Sequence, residues 1–201
     1  MKKICILAFS FVMFFTLSSC SAKINLRVQK DGSVDVSFNG GAGAAFTKMI
    51  LAATGGEEAF NIDEIASELS KNGFSDVTAF SKGISEVILN FKDRRKSSFL
   101  FGAGILEMKN NQLLLNLNRQ SLKAFYESAD ENLQMILDLF LAPVFNDEQM
   151  TQEEYLEMLG TFYGSAAAKE VQESKVEFVI QNPNGEKINY SYSLAQILCS
   201  N

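Results

Sequence analysis

The feature that most constrains this fold is a recurring pair of short segments in which apolar and polar residues alternate. In the first pair, Ile24 to Lys30 and Ser33 to Asn39 flank Asp31-Gly32, a dipeptide that favours a tight turn between antiparallel strands. The same pattern predicts three more hairpins, at 74–92, 105–118 and 176–193. Alternation with a period of two gives each strand one apolar face. The hairpins therefore predict an antiparallel sheet whose apolar face must be buried against other elements.

Helical patterns between the hairpins predict the elements that would pack against this apolar face. Apolar residues with helical spacing occur at 43–54, 62–71, 121–145, 151–173 with a break at Gly160 or Gly164, and 193–198. Asn61 with Glu64, and Thr151 with Glu154, have the spacing of N-terminal capping pairs. The stretch from Gly40 to Phe46 predicts a flexible connection from a strand to a helix. The sequence therefore predicts an α+β fold in which antiparallel β-hairpins pack against two helical pairs.

Length and element order bear on domain organisation. Residues 24–201 are of a size typical of one domain, so we expect a single α+β domain. Both halves of this range follow the order strand, strand, helix, helix, strand, strand. A decayed duplication and the chance recurrence of hairpins and helix pairs both account for that order, and no residue-level repeat separates them.

The N-terminal stretch has the layout of a secretory signal peptide. Lys2 and Lys3 form a basic start, and the segment from Ile4 to Leu17 is apolar apart from Ser10 and Thr16. Its 14 residues are too few to span a bilayer, which takes about 20 residues of helix. The segment therefore predicts export across a membrane and not a permanent transmembrane helix.

The tetrapeptide Leu17-Ser18-Ser19-Cys20 resembles the lipobox of bacterial lipoproteins, in which an apolar residue and two small residues precede the cysteine. The resemblance implies that residues 1–19 are removed and that the Cys20 sulfur carries diacylglycerol. Residues 20–23 would then be a lipidated tether on the non-cytoplasmic side of a membrane of the bacterial cell envelope. Ordinary secretion with cleavage after Ala22 is the competing interpretation, and it would discard Cys20.

Composition excludes several functional classes. The formal net charge is −6 and no basic stripe is present, so nucleic acid is not an expected partner. The absence of histidine removes Ser-His-Asp and Cys-His catalysis and the imidazole ligands that most catalytic zinc sites use. Acidic residues at 147–157 have no EF-hand spacing and fit a helix start better than a calcium site. We therefore expect no catalytic activity, metal or cofactor.

Three apolar segments remain, and they allow two interpretations. The side chains that would line a cavity for a lipid or another apolar ligand are Phe46, Met49, Phe99, Phe101, Leu137 and Phe140. The same side chains would pack equally well as a solid core. The order of elements after Cys20 is similar to that of small lipid-binding lipoproteins of the LppM type, a resemblance of layout over about half the chain that assigns no residue. We predict a non-catalytic envelope lipoprotein with a structural role or an envelope-protein partner, and the alternative is a carrier of an apolar ligand.

Overall fold

A computed structural model of the chain describes residues 22–54, 60–71, 73–94, 101, 104–110, 112–128 and 150–199. In chain order, the strands and helices of these ranges are β1 (Ala22–Val28), β2 (Val34–Gly41), α1 (Ala44–Thr54), α2 (Ile62–Lys71), β3 (Ser75–Lys82), β4 (Glu86–Asp93), β5 (Leu106–Lys109), β6 (Gln112–Leu115), α3 (Arg119–Ser128), α4 (Gln152–Tyr163), α5 (Ser165–Glu173), β7 (Lys175–Gln181), β8 (Lys187–Ser193) and α6 (Leu194–Leu198). The four predicted hairpins are confirmed. The helix predicted at 121–145 is described only as α3, and its remainder lies outside the described residues.

The main sheet has six strands in the order β3-β4-β2-β1-β7-β8, and β5 with β6 forms a separate two-stranded sheet. Within the main sheet β1-β2, β3-β4 and β7-β8 are antiparallel hairpins, as predicted. β1 and β7 are parallel, with Ala22 opposite Val176 and Arg27 opposite Gln181. The sequence does not predict this contact. Alternation predicts which side chains share a face, but it does not predict which distant strand lies alongside or in which direction.

One face of this sheet packs against helices and forms the hydrophobic core. The buried strand residues are Ile24, Leu26, Val28, Val34, Val36, Phe38, Val87, Leu89, Phe91, Val176, Phe178 and Ile180. Helical side chains of the same core include Phe46, Ile65, Leu69, Leu122, Tyr155, Leu159, Val171 and Ile197. The opposite face, here called the polar face, contains alternate residues of the same strands, such as Asn25, Arg27, Ser37 and Asn90. The predicted α+β fold with one apolar sheet face is confirmed.

Capping chemistry sets the helix boundaries near the C-terminus. The Glu154 amide donates to Thr151 Oγ1 at 3.2 Å, and the Thr151 amide donates to Glu154 Oε2 at 2.8 Å. The predicted capping box of α4 is thus present. The helix ends at Gly164, whose φ of 87° lies in the left-handed region that glycine adopts without a Cβ clash. Gly164 is therefore the residue that separates α4 from α5.

Gly40 and Gly41 were predicted to belong to a flexible connection between a strand and a helix, and the structure differs at both. They extend β2 and pair with Val87 and Glu86, so they belong to the sheet and do not form a flexible connection. A Cβ on Gly41 would lie 2.2 Å from the Ser85 carbonyl oxygen, which accepts a hydrogen bond from the Ala42 amide at 2.8 Å. Glycine at this position therefore allows the β3-β4 turn to lie directly against the end of β2.

A carboxylate on α5 caps α1, although the two helices are far apart in sequence. Glu170 Oε1 accepts from the Ala45 amide at 2.6 Å, and Oε2 accepts from the Phe46 amide at 3.3 Å. These amides belong to the first turn of α1, which leaves N–H groups without intrahelical acceptors. Glu170 therefore joins the two helices and places negative charge at the positive end of the α1 dipole.

The strand directions give the sheet two distinct ends. The proximal end contains Ala22, the end of β2, the β3-β4 turn at 83–85 and the start of β7. The distal end contains the β1-β2 turn at 29–33 and the β7-β8 turn at 182–186. The six residue steps of β1 separate the ends by about 20 Å, since a strand rises about 3.3 Å per residue.

Candidate functional site

A groove lies at the distal end between the two turns. It forms there because the adjacent parallel strands β1 and β7 turn in opposite directions, β1 toward β2 and β7 toward β8. Such a divergence leaves a crevice at the carboxyl ends of parallel strands, where ligands bind in open α/β sheets. The groove has a volume of about 560 Å³, and its lining residues are Arg27, Val28, Gln29, Lys30, Asp31, Lys92, Gln181, Asn182, Pro183, Asn184 and Gly185.

The β1-β2 turn is organised by the Asp31 carboxylate. Asp31 Oδ1 accepts from the Ser33 amide at 2.9 Å and from the Ser33 hydroxyl at 2.6 Å. Gly32 has a φ of 82°, and its amide donates to the Gln29 carbonyl at 3.0 Å. The Ser33 hydroxyl, the Ser33 amide and the charge of Lys92 together lower the pKa of Asp31. This wall of the groove is therefore preformed and carries an ionised carboxylate at neutral pH.

The β7-β8 turn is organised by Asn182, which is buried. Asn182 Oδ1 accepts from the amides of Asn184 and Glu186 at 3.1 and 3.0 Å, and Asn182 Nδ2 donates to Glu186 Oε2 at 3.0 Å. Gly185 has a φ of 87°, and its amide donates to the Asn182 carbonyl at 3.0 Å. An asparagine that bonds the backbone ahead of it in this way fixes the turn, so the second wall is also preformed.

Cationic side chains dominate the groove. Arg27, Lys30 and Lys92 line it, against the single carboxylate of Asp31. Asp35 lies between Arg27 and Lys92 on the polar face, and its carboxylate accepts a hydrogen bond from the Gln29 side-chain amide. Among the described residues, neither Arg27 nor Lys30 forms an ion pair. The lining therefore carries three cationic groups and one carboxylate, with the Asp35 carboxylate beside Arg27 and Lys92, on a chain whose net charge is −6.

These groups are suited to binding an anion. A guanidinium and two ammonium groups provide charged donors, and Gln181 and Asn184 add neutral amides in the same lining. The described residues contain no cluster of three or more acidic or cysteine side chains that could hold a metal ion. A carboxylate or phosphate group is the ligand chemistry that this donor set fits best.

Three of the residues predicted to line an apolar cavity are among the described residues, and they lie away from the groove. Phe46 is buried in the core, while Met49 and Phe101 are partly buried and pack against it. Phe99, Leu137, Phe140 and the lipobox Cys20 lie outside the described residues. Of the six predicted ligand-binding residues, the three that the structure describes, Phe46, Met49 and Phe101, do not line the distal groove. The apolar-ligand carrier stays a prediction.

The sequence predicts the turns that border the groove but not the groove itself. The sequence predicts a turn at Asp31-Gly32 and a hairpin at 176–193, but it singles out none of the lining residues as ligand-binding. The two turns become neighbours only through the parallel pairing of β1 and β7. A signal was present in the sequence, since both turns contain a hydrogen-bonding Asp or Asn before a glycine, but nothing indicated their proximity.

In the part of the chain that the structure describes, no helix combines the length and apolar character that crossing a membrane requires. Comparisons of the chain with protein-family models, with curated proteins and with solved structures gave no match.

Proposed function

We propose that this chain is a lipid-anchored protein of the bacterial cell envelope, with a non-catalytic role as an interaction module. Its partner is another envelope component that inserts a carboxylate or phosphate group into the distal groove. The observation that carries the proposal is the placement of the groove at the end of the sheet opposite Ala22.

The start of β1 supports the anchoring part of the proposal. Ala22 is fully buried and already paired in the sheet, and it follows the lipobox Cys20 by two residues. Two residues of extended chain reach about 7 Å at most, so a lipidated Cys20 would hold the proximal end close to the bilayer. The groove would then face away from the membrane, about 20 Å further along β1.

The groove supports the binding part of the proposal. Its walls are fixed by internal hydrogen bonds, so binding would require little ordering of the backbone. Arg27 and Lys30 have no ion-pair partner among the described residues, so an incoming anion displaces no internal carboxylate from them. No pairing of a nucleophile with a base is present in the lining, which favours binding over catalysis.

Lipidation is tested by expressing the full chain in bacteria and measuring the intact mass of the membrane-associated protein. We expect the wild type to lose residues 1–19 and to gain the mass of an acylated diacylglycerol thioether. The Cys20→Ala variant should gain none and should leave the membrane fraction. A wild-type protein that is cleaved after Ala22 and carries no lipid would refute the anchoring proposal.

Anion binding is tested by titrating the lipidated protein in detergent micelles with inorganic phosphate and with acetate, observed by NMR. We expect saturable shifts at the amides of residues 29–31 and 182–185. Arg27→Ala should weaken the affinity about tenfold, because a hydrogen bond between charged groups contributes about 1.5 kcal/mol or more. Lys169→Ala, on the exposed surface of α5, is the matched control and should leave the affinity unchanged. Equal effects of the two variants, or no saturable shift, would contradict the assignment of the groove.

A further inference from the structure

Two large apolar side chains are exposed beside one turn of the sheet. Phe80 near the end of β3 is 57% exposed, and Ile84 in the β3-β4 turn is 58% exposed. Phe80 also pairs with Ile88 of β4, which is only half-buried on the polar face. We call Phe80, Ile84 and Ile88 the apolar tip. Single exposed apolar residues are common on protein surfaces, so the position of this group is what distinguishes it.

The apolar tip lies at the proximal end, where the chain enters the fold. The pairing of β1 with β2 and of β2 with β4 places Ala22, Gly40 and Val87 in one row across the sheet. The β3-β4 turn begins just beyond that row, at the end of the sheet where β1 begins. Because strands are spaced about 4.8 Å apart, the turn lies only about 10–15 Å to the side of β1.

The apolar tip is held in a fixed position. The Ser85 carbonyl in the turn accepts from the Ala42 amide at 2.8 Å, and this contact depends on the missing side chain of Gly41. Lys82 and Glu86, which flank the turn, form an ion pair at 3.2 Å. A tip held in this way cannot fold back to bury Phe80 and Ile84 in the protein's own core.

We propose that the apolar tip inserts into the surface of the lipid bilayer beside the acylated Cys20 and forms a second membrane contact. A single tether allows the domain to rotate freely about its attachment, whereas a second contact about 10–15 Å to the side of β1 restricts that rotation. Small apolar groups reach the boundary between headgroups and acyl chains, about 5–10 Å deep. The contact orients the distal groove away from the membrane. This inference depends on the proposed lipidation of Cys20.

The test uses the absence of tryptophan from the chain, since one substitution creates a unique fluorophore. Ile84→Trp places it on the apolar tip. Phe162→Trp is the matched control, because Phe162 is 74% exposed at the end of α4 and is separated from the start of β7 by the whole of α5. Each full-length variant is produced in bacteria, its lipidation is verified by intact mass, and it is reconstituted into phosphatidylcholine vesicles with and without lipids brominated on their acyl chains.

We expect the emission of Ile84→Trp to shift to shorter wavelength and to lose about half its intensity to brominated lipid, which reports burial at the acyl boundary. Phe162→Trp should keep the emission of a water-exposed tryptophan and should not be quenched. Lipidated Ile84→Trp that is not quenched would overturn the membrane contact while leaving the anchor intact. A blue shift that brominated lipid does not quench and that grows with protein density would overturn it in favour of contact between two copies. Absence of lipid on Cys20 would overturn the proposed anchor, and this inference with it.

Discussion

The carboxylate of Glu170 provides the sharpest test of how the helical layer is held together. Removing it by Glu170→Ala leaves the amides of Ala45 and Phe46 without the acceptors that now lie at 2.6 and 3.3 Å. Loss of an N-terminal cap costs about 0.5–2 kcal/mol, and hydrogen bonds to a charged group contribute about 1.5–3 kcal/mol. Glu170 is only half-buried and its second bond is long, so we expect a loss of about 2 kcal/mol in the free energy of unfolding.

Urea denaturation followed by circular dichroism measures this loss, with Glu173→Ala as the matched control. Glu173 lies on the same helix, is exposed, and among the described residues pairs with Lys169 alone, at 3.8 Å, so its removal should change stability by less than about 0.5 kcal/mol. Glu170→Gln keeps one acceptor oxygen and should fall between the two. In a thermal scan, the loss from Glu170→Ala corresponds to a decrease in Tm of about 4–8 °C for a domain of this size. Equal midpoints for Glu170→Ala and Glu173→Ala would refute the capping argument.

Three further predictions concern glycine packing, pH and thiol reactivity. Gly41→Ala should destabilise the fold by about 1–3 kcal/mol, because its Cβ would lie 2.2 Å from a carbonyl oxygen. Gly160→Ala inside α4 meets a Cβ at the ordinary contact distance of 3.7 Å and should stabilise the helix. The urea denaturation midpoints of the two variants should therefore shift in opposite directions. The pKa of Asp31 is lowered below 3.8, so the stability that its carboxylate contributes is present above pH 3.8 and is lost as the pH falls through the folded-state pKa. Ser33→Ala should raise the pKa of Asp31 in an NMR titration, and an unchanged pKa would contradict the assigned cause. Burial raises the pKa of the Cys199 thiol from 9.0 to about 11. At pH 8, iodoacetamide should therefore alkylate Cys199 about 100-fold more slowly in the folded protein than in the protein unfolded by urea, with the reaction followed by mass spectrometry. Equal rates in the two states would contradict the burial of the thiol.

Local chemistry made several elements predictable from the sequence. Asn61 before α2 and Thr151 before α4 cap helices where the sequence predicts, since capping depends only on residues three positions apart. The alternation of Ile24, Leu26 and Val28 predicted the buried face of β1, because successive strand residues point to opposite faces. Phe46, a candidate ligand-binding residue, is buried in the core, but no local pattern distinguishes a core side chain from one that lines a cavity.

The hairpins, the helix starts and the apolar face of the sheet are predictable from local sequence, because each depends on neighbours within a few residues. Tertiary packing sets β1 parallel to β7, which places Asp31 and Asn182 on opposite walls of one groove. It likewise determines that Glu170 caps α1 and that Gly41 accommodates Ser85, contacts that no local pattern encodes. Pairing between distant segments is selected by the packing of the whole core, so the groove and the ends of the sheet become visible only after the chain has folded.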